Sequence, residues 1–369
     1  GRVTGVQTCA LPISKTIIFI NLLVITLLSL PIYRININPD LQALIPANDP
    51  DVIRMEELEE EFGGLDVILI SYHADDVFGG EGLEMINNLT YDLEALPQID
   101  HIISLTNYES ITSDDESMTV DKFIQEIPGT RAGSDSLANR AIADPMLGRL
   151  LVSEDREYTA IIIYSDPDAD EVTTVDTLQA LLRSYQNKNH DLRLGGMPVI
   201  RAQISEDIGH DTSTFIPAGM VLIALLLYIS FRSRRGVALP LLVVLLSIMG
   251  TLGLMAWFGM MLSVISSIMP IMLIAVASAY GIHIITRYFE DCAELPAEAD
   301  SKEVVTSVIE HMMRPLFLAG ITTVIGFLSL LSHILPASRE VGILTAFGVV
   351  LAFGLSITFI PAVLVLTKK

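Results

Sequence analysis

Polar and apolar positions are segregated along this chain on a scale much longer than a helical turn. Six apolar stretches, at 15–33, 212–231, 237–258, 264–286, 314–335 and 342–366, are each long enough for a bilayer crossing, which takes ~20 helical residues. Between the first and second lies a polar block, residues 34–211. Inside it the pattern changes. Residues 65–72 (LDVILISY) and 158–164 (YTAIIIY) are rich in β-branched side chains and read as strands. Each is followed by a helical period, at 81–96 and 172–188, and then by a shorter strand candidate, at 101–106 and 192–195. Two strand–helix–strand units are the ingredients of a ferredoxin-like split βαβ sandwich. The intervening 107–157 is polar, with weak helices predicted near 119–126 and 135–148. Pro198 opens a helix predicted to run through Ile208 toward the second span. The predicted fold is an α-helical integral membrane bundle of six spans, with an α+β ferredoxin-like domain between spans one and two.

The chain therefore divides into a leader (1–14), a first span (15–33), an α+β domain (34–211) and a five-span bundle (212–369) with a loop at 287–313. The leader lacks periodicity and reads as non-native or disordered, so it is excluded from fold reasoning. A cleaved signal peptide is the rival reading of the first span. Its apolar core is too long and no small-x-small site precedes Pro31, which favours an uncleaved span. Arg232, Arg234 and Arg235 follow the second span, Lys368 and Lys369 the sixth, and Lys15 opens the first. Basic short loops belong in the cytoplasm. The expected orientation puts 34–211 outside and 287–313 inside, although that loop holds seven acids. The expected location is the bacterial cytoplasmic (inner) membrane.

Composition sharpens this. Of 369 residues, 51% are hydrophobic and 18% charged, with a mean hydropathy of +0.53. Soluble domains carry roughly 25% charged residues, so a wholly soluble or disordered chain is excluded. The net charge of −22 is concentrated: residues 34–211 hold 36 of the 44 acids and 11 of the 22 bases. An acidic block of this size disfavours nucleic acid as a partner. Cys9 and Cys292 make neither a disulfide framework nor a cysteine zinc site. No CxxC, HExxH, GxSxG or Walker sequence is present, so no enzyme, catalytic residue, metal or cofactor is expected. His73, His101, His190 and His210 lack metal-ligand spacing. Glu56–Glu61 reads as a solvated helix face. Asp166, Asp168 and Asp170 lack the glycine and terminal glutamate of a calcium loop.

The chemistry that stands out is inside the membrane. The fourth span carries Ser278, Tyr280 and His283 in an otherwise apolar helix. An imidazole at that depth faces a protein interior or a wet path, and it titrates across ordinary pH gradients. The alternative is that His283, four residues before Arg287, reaches the interface or caps a neighbour. Tyr280 is equally compatible with aromatic packing and one hydrogen bond. The fifth span carries Thr322 and Thr323 between Gly320 and Gly326. These hydroxyls either bond back to the preceding turn or reach another helix. Adjacent residues point about 100° apart, so only one can serve a given contact well. In the sixth span, Gly342/Ala346 and Gly348/Ala352 are small-xxx-small pairs that let helices approach, which is ordinary membrane packing.

Taken together, these motifs resemble one half of a resistance-nodulation-division (RND) transporter, in the branch of the mycobacterial-membrane-protein-large type and the hopanoid and lipid exporters. The resemblance rests on Asp40-Leu-Gln-Ala-Leu-Ile-Pro46, on Ala279-Tyr-Gly-Ile-His283 with Arg287-Tyr-Phe-Glu290, on Pro315 to Leu330, and on Gly342 to Pro361. It implies a proton-driven pump that exports hydrophobic or lipid-like molecules through a periplasmic porter domain. It implies, as partners, a second transporter half or another copy, membrane lipids and a periplasmic accessory protein. Such families usually place an Asp before the tyrosine of the fourth span, and here that residue is Ala279. His283 lies one turn on, on the same face. The resulting expectation is a proton relay built from His283, Tyr280, Ser278 and a hydroxyl of Thr322 or Thr323, with Gly320, Gly326, Gly342 and Gly348 as packing points. The alternatives are a non-pumping lipid-binding or lipid-sensing module of the same fold, and a SecD/SecF-like accessory of protein translocation.

Overall fold

The apolar runs become long helices and the alternating runs become strands. The computed structural model describes residues 14–41, 44–46, 48–62, 66–114, 117–186, 190–294 and 301–367. The predicted leader, but for Ser14, lies outside them. In chain order the elements begin with α1 (Ser14–Ser29), β1 (Ile37–Asn38), α2 (Pro50–Phe62) and β2 (Val67–His73). Then come α3 (Gly80–Glu94), β3 (Ile99–Ile103), β4 (Glu109–Asp114) and β5 (Ser117–Lys122). They are followed by α4 (Arg131–Ala143), α5 (Leu147–Leu150), β6 (Tyr158–Ser165), α6 (Glu171–Tyr185) and β7 (Asp191–Gly195). The chain continues through α7 (Met197–Phe231), α8 (Arg234–Trp257), β8 (Leu262–Ser263), α9 (Met269–Glu294), α10 (Ser301–Leu328) and α11 (Pro336–Leu366).

The chain separates into two units. One comprises residues 53–205, and the other 1–52 with 206–369. In the first unit, four antiparallel strands lie in the order β3-β6-β2-β7. Each strand–helix–strand unit thus straddles a strand of the other. Along β2, Ile68, Ile70 and Tyr72 turn inward, and Ile161 and Ile163 of β6 join them. Leu83, Ile86, Leu89 and Leu93 of α3 recur at helical spacing and close over this face with Val175, Leu178 and Leu182 of α6. Each such side chain taken out of water contributes about 1.5–3 kcal/mol. Between β7 and α7, Gly196 has φ +113°, and a Cβ there would meet the Val67 carbonyl oxygen at 2.3 Å. No other residue fits that turn.

The predicted helix near 119–126 is corrected: residues 109–122 form the hairpin β4–β5, with Ile111 opposite Val120 and Thr112 opposite Thr119. The β-branched composition of 109–122, with Ile111, Thr112, Thr119 and Val120, outweighs the weak helical period. The helix predicted at 135–148 starts earlier, at Arg131, where Thr130 accepts the Gly133 N–H at 3.3 Å as its cap.

Among the described residues, six helices are long and apolar enough to cross a membrane, and they lie wholly or largely in the second unit. The helices α8, α9 and α11 are the most buried, while α1, α7 and α10 keep most of their apolar surface exposed. Small residues set the contacts. A Cβ on Gly253 would lie 2.1 Å from the Leu28 carbonyl oxygen, and one on Gly281 would lie 2.7 Å from Pro240. Two features were not foreseen. The segment after α1 pairs in parallel with the α8–α9 turn, Ile37 opposite Leu262. And the predicted loop 287–313 is helical up to Glu294 and again from Ser301.

Candidate functional site

Helices α9 and α10 bound an open cleft of about 340 Å³ lined by Ala275, Val276, Ala279, Tyr280, His283, Leu316, Ala319 and Thr323. The sequence dictates its character. Ala275, Ala279 and His283 repeat every four residues and form one exposed stripe of α9. Two alanines leave a groove, and the imidazole stands at its end. The opposite stripe, Leu273, Ala277, Ile284 and Tyr288, is buried.

Tyr280 sits between these stripes and is 4% exposed. Its ring meets Phe353 of α11 edge-on, with centroids 6.2 Å apart and planes at 77°. Its hydroxyl points at α10: a Cβ built on Gly320 would lie 3.6 Å from it. That is ordinary van der Waals contact, so Gly320 sits directly against the hydroxyl. The hydroxyl oxygen is buried, makes no hydrogen bond of ordinary geometry, and has the Thr323 hydroxyl as its polar neighbour. Such an atom forgoes about 1–3 kcal/mol of solvation unless something bonds it.

The hydroxyls of α10 divide as the helical geometry requires. Thr323 lines the cleft, while Thr322 lies outside its lining and is exposed. Both donate back to their own helix. Thr323 Oγ1 bonds the Ala319 carbonyl at 2.8 Å, and Thr322 Oγ1 bonds the carbonyls of Leu318 at 3.0 Å and Ala319 at 2.9 Å. Ser278 is buried away from the cleft and donates to the Ala275 carbonyl at 3.0 Å. Of the expected relay, the cleft brings together His283, Tyr280 and Thr323, and leaves out Ser278 and Thr322. Gly320 faces Tyr280. A Cβ on Gly342 would meet the Phe327 carbonyl oxygen at 2.6 Å, and one on Gly348 would meet Leu273 at 2.6 Å and Thr251 at 2.7 Å. Gly326 has open space beside it.

One residue passed unnoticed in the sequence. Asp291, three turns along α9 from Ala279, is 2% exposed and pairs with Arg287 at 2.7 Å. In the linear pattern it is one of seven acids in an apparent loop. Its spacing of four from Arg287 was the available signal. Among the described residues, no group of three or more His, Cys, Asp or Glu side chains could hold a metal ion.

Outside the membrane unit, the described buried polar side chains are paired except at Gln98 Oε1 and Thr159 Oγ1. Tyr72 shares a hydrogen bond of 2.7 Å with His190 Nδ1. Burial first, and the nearby Glu81 carboxylate second, push the Tyr72 phenol up to about 12. Arg201, at the start of α7, meets Glu171 at 2.5 Å and Asp66 at 2.5 Å. The bonds to Glu171 and then to Asp66 hold its proton more firmly than in a free guanidinium, against the opposing effect of burial.

A family model described as the MMPL family matches residues 83–368. The protein MJ1562 of Methanocaldococcus jannaschii, named only for its residence in a membrane, is 23% identical over 337 residues. That alignment covers 89% of this chain and 84% of the archaeal one. The trehalose monomycolate exporter MmpL3 of Mycolicibacterium smegmatis is 25% identical over 225 residues, 60% of this chain and 22% of the exporter. The exporter of the same name from Mycobacterium tuberculosis is 24% identical over 223 residues, 59% of this chain and 23% of its own length. This chain thus spans under a quarter of the exporters it matches.

Proposed function

The chain belongs to the MMPL family, and from that premise we propose that it is a proton-driven exporter of hydrophobic or lipid-like molecules across the bacterial cytoplasmic membrane. The observation that carries the proposal is the cleft between α9 and α10. It sets a titratable imidazole, an unbonded buried phenol and a threonine hydroxyl along one groove of a membrane helix pair. A proton on His283 changes the charge beside that groove. The phenol and Thr323 supply groups whose bonds can rearrange in response. Different proton affinity in two arrangements of α9 and α10 then drives alternating access.

The four-stranded unit serves, in this reading, as a ferredoxin-like porter domain lying outside the membrane. Its strand order interleaves two strand–helix–strand units, and its acidity suits a water-facing position. Residues 198–211 lie within α7, which runs unbroken from Met197 to Phe231. That continuity makes α7 the element through which membrane helices and porter domain influence each other. The partners are a lipid substrate, surrounding membrane lipids, and a second transporter half or a second copy. The exposed stripe Ala275–Ala279–His283 offers that half its surface. A periplasmic accessory protein would receive the cargo.

The test is reconstitution of the full chain in proteoliposomes loaded with a fluorescent single-chain glycolipid. Gradient-dependent efflux that His283→Ala abolishes is the expected outcome. Efflux indifferent to an imposed pH gradient overturns the pump. A second reading, a lipid-binding module that does not pump, is favoured by Ala279, which puts a methyl group where a carboxylate would couple to protons. It predicts saturable glycolipid binding with no response to the gradient.

A further inference from the structure

The corner between α7 and α8 carries three arginines in four residues, Arg232, Arg234 and Arg235. Both helices are long and apolar enough to cross a membrane, so the corner stands where a bilayer meets water. Arg235 is half-buried and lies beside the Tyr288 hydroxyl of α9. Arg232 and Arg234 are exposed, and among the described residues neither forms an ion pair or a side-chain hydrogen bond. The acids at the adjacent end of α9 are taken: Glu290 and Asp291 meet Arg287 at 3.4 Å and 2.7 Å.

The local fold does not ask for arginine here. Arg232 has φ +47°, the left-handed region that glycine enters at far less cost. Its N–H bonds the Tyr228 carbonyl at 2.9 Å and closes the end of α7, a task of the backbone alone. Arg234 and Arg235 open α8, where the free N–H groups are already positive and an acid would suit the helix better. Apolar packing holds the corner. A Cβ on Gly236 would lie 2.6 Å from the Phe231 Cβ, and the Phe231 ring meets Phe289 of α9 with centroids 5.8 Å apart.

Immediately before the corner, α7 exposes a continuous apolar strip. Val221, Leu222, Leu225, Leu226, Tyr228 and Ile229 are each more than half exposed and recur at steps of three and four along one side. From Val221 to Phe231 the helix rises about 15 Å, half of a hydrocarbon core of about 30 Å. A strip of one leaflet's depth that ends at two free guanidinium groups matches one lipid molecule, with acyl chains against the strip and a phosphate at the corner. Guanidinium grips phosphate oxygens through paired N–H donors.

We propose that the α7–α8 corner binds an anionic phospholipid of the surrounding bilayer, its phosphate between Arg232 and Arg234 and its acyl chains along the strip from Val221 to Ile229. Net charge selects the ligand. A zwitterionic headgroup brings its own ammonium to the two guanidinium groups and gains less from them. Such binding requires only that α7 and α8 cross a bilayer, and it holds whether or not the chain pumps protons.

The full chain in detergent, with phosphatidylglycerol or phosphatidylcholine of the same acyl chains added, tests this by native mass spectrometry of the bound lipid and by thermal melts. The wild type should prefer phosphatidylglycerol about tenfold or more, since each arginine at a bilayer surface favours an anionic lipid roughly fivefold. It should also melt at a higher temperature with phosphatidylglycerol than with phosphatidylcholine. Arg232→Gln combined with Arg234→Gln should lose both the preference and the added rise. Arg232→Gly is the sharper variant. Glycine suits φ +47°, so its lipid-free melt should hold or rise while the preference falls severalfold. Glycerol phosphate at the same concentration should leave the melt unchanged. Equal retention of the two lipids by the wild type, an undiminished preference in the double variant, or the same rise with glycerol phosphate overturns the inference. A lowered lipid-free melt of Arg232→Gly with its preference intact assigns that arginine to the fold and overturns it too.

Discussion

The two units of this protein differ in how far their buried polar groups are bonded. In the sheet unit they are bonded. Arg201 holds two carboxylates, Tyr72 holds His190, and Thr90, Ser104 and Asn107 link α3 to the turn after β3 at 2.7–3.0 Å. Among its described side chains only the neutral Gln98 Oε1 and Thr159 Oγ1 are buried without partners. In the membrane unit the Tyr280 hydroxyl, the Asp291 Oδ2 and the Arg287 Nε are all unpaired. Tyr280 lies within the fourth apolar stretch, where hydrocarbon offers no water to an unbonded hydroxyl, so its cost there is at its highest. A bonded group fixes one shape. An unbonded one can take a new partner, which suits the helix motion proposed above.

Breaking that contrast at its functional end should have the largest effect. His283→Ala removes the titratable group yet deletes an exposed side chain. Gradient-driven efflux should fall about 100-fold or more, the range that positioned proton-transfer groups contribute. Unfolding stability should move by under ~0.5 kcal/mol. Paired efflux and thermal-melt measurements check both halves. A large loss of stability would mean that His283 is structural.

At the bonded end the pattern should invert. Arg201→Ala strands Asp66 and Glu171. These carboxylates are 49% and 38% exposed, so water recovers part of their loss. A cost of about 2–3 kcal/mol follows, below that of a fully buried pair. It should appear as a lower melting temperature and faster hydrogen exchange along β2.

The contrast itself was only half legible in the linear sequence. Hydropathy alone picked out the six candidate spans found among the described residues, because a bilayer demands length and apolarity and little else. The strands at 67–73 and 158–165 were equally plain, since both are β-branched and near-continuously apolar. The hairpin at 109–122 was not, because its Ser, Thr and Asp positions carry no hydrophobic period. At the site, the oddity of a histidine inside an apolar helix was visible. Which of Thr322 and Thr323 faces it was not, as that depends on the rotation of α10. Asp291 was hidden by its neighbours: in a run of acids, burial distinguishes one carboxylate from the rest, and burial is a property of the packed helices.

A smaller effect probes how the sheet unit secures its helices. Asp170 caps α6, accepting from the Thr173 N–H at 2.9 Å and its hydroxyl at 2.7 Å. The Thr173 hydroxyl first, and its N–H second, hold the Asp170 carboxyl below the ordinary range. A carboxyl whose pKa is depressed on folding stabilises at neutral pH, and that contribution fades as pH falls below about 4. Asp170→Ala should therefore cost about 1 kcal/mol at pH 7 and lose part of the acid-side decline. Melts between pH 3 and pH 7 give the answer, and a constant difference across that range would show that the cap acts without its charge.

The smallest effect on stability is expected from Tyr280→Phe, and it separates the two meanings of an unpaired group most cleanly. Deleting a buried hydroxyl that bonds nothing removes a desolvation cost without removing a bond. The melt should shift by no more than ~0.5 kcal/mol, and upward if at all. Deleting a hydrogen-bonded hydroxyl would instead cost ~1 kcal/mol. The ring, its edge-on contact with Phe353 and the close approach to Gly320 are all kept. If the hydroxyl only fills space, efflux will equal that of the wild type. If it takes up a bond when His283 is protonated, efflux will drop while stability holds or rises. That combination, a more stable and less active protein from the loss of one oxygen atom, is what a group held unbonded for use should produce.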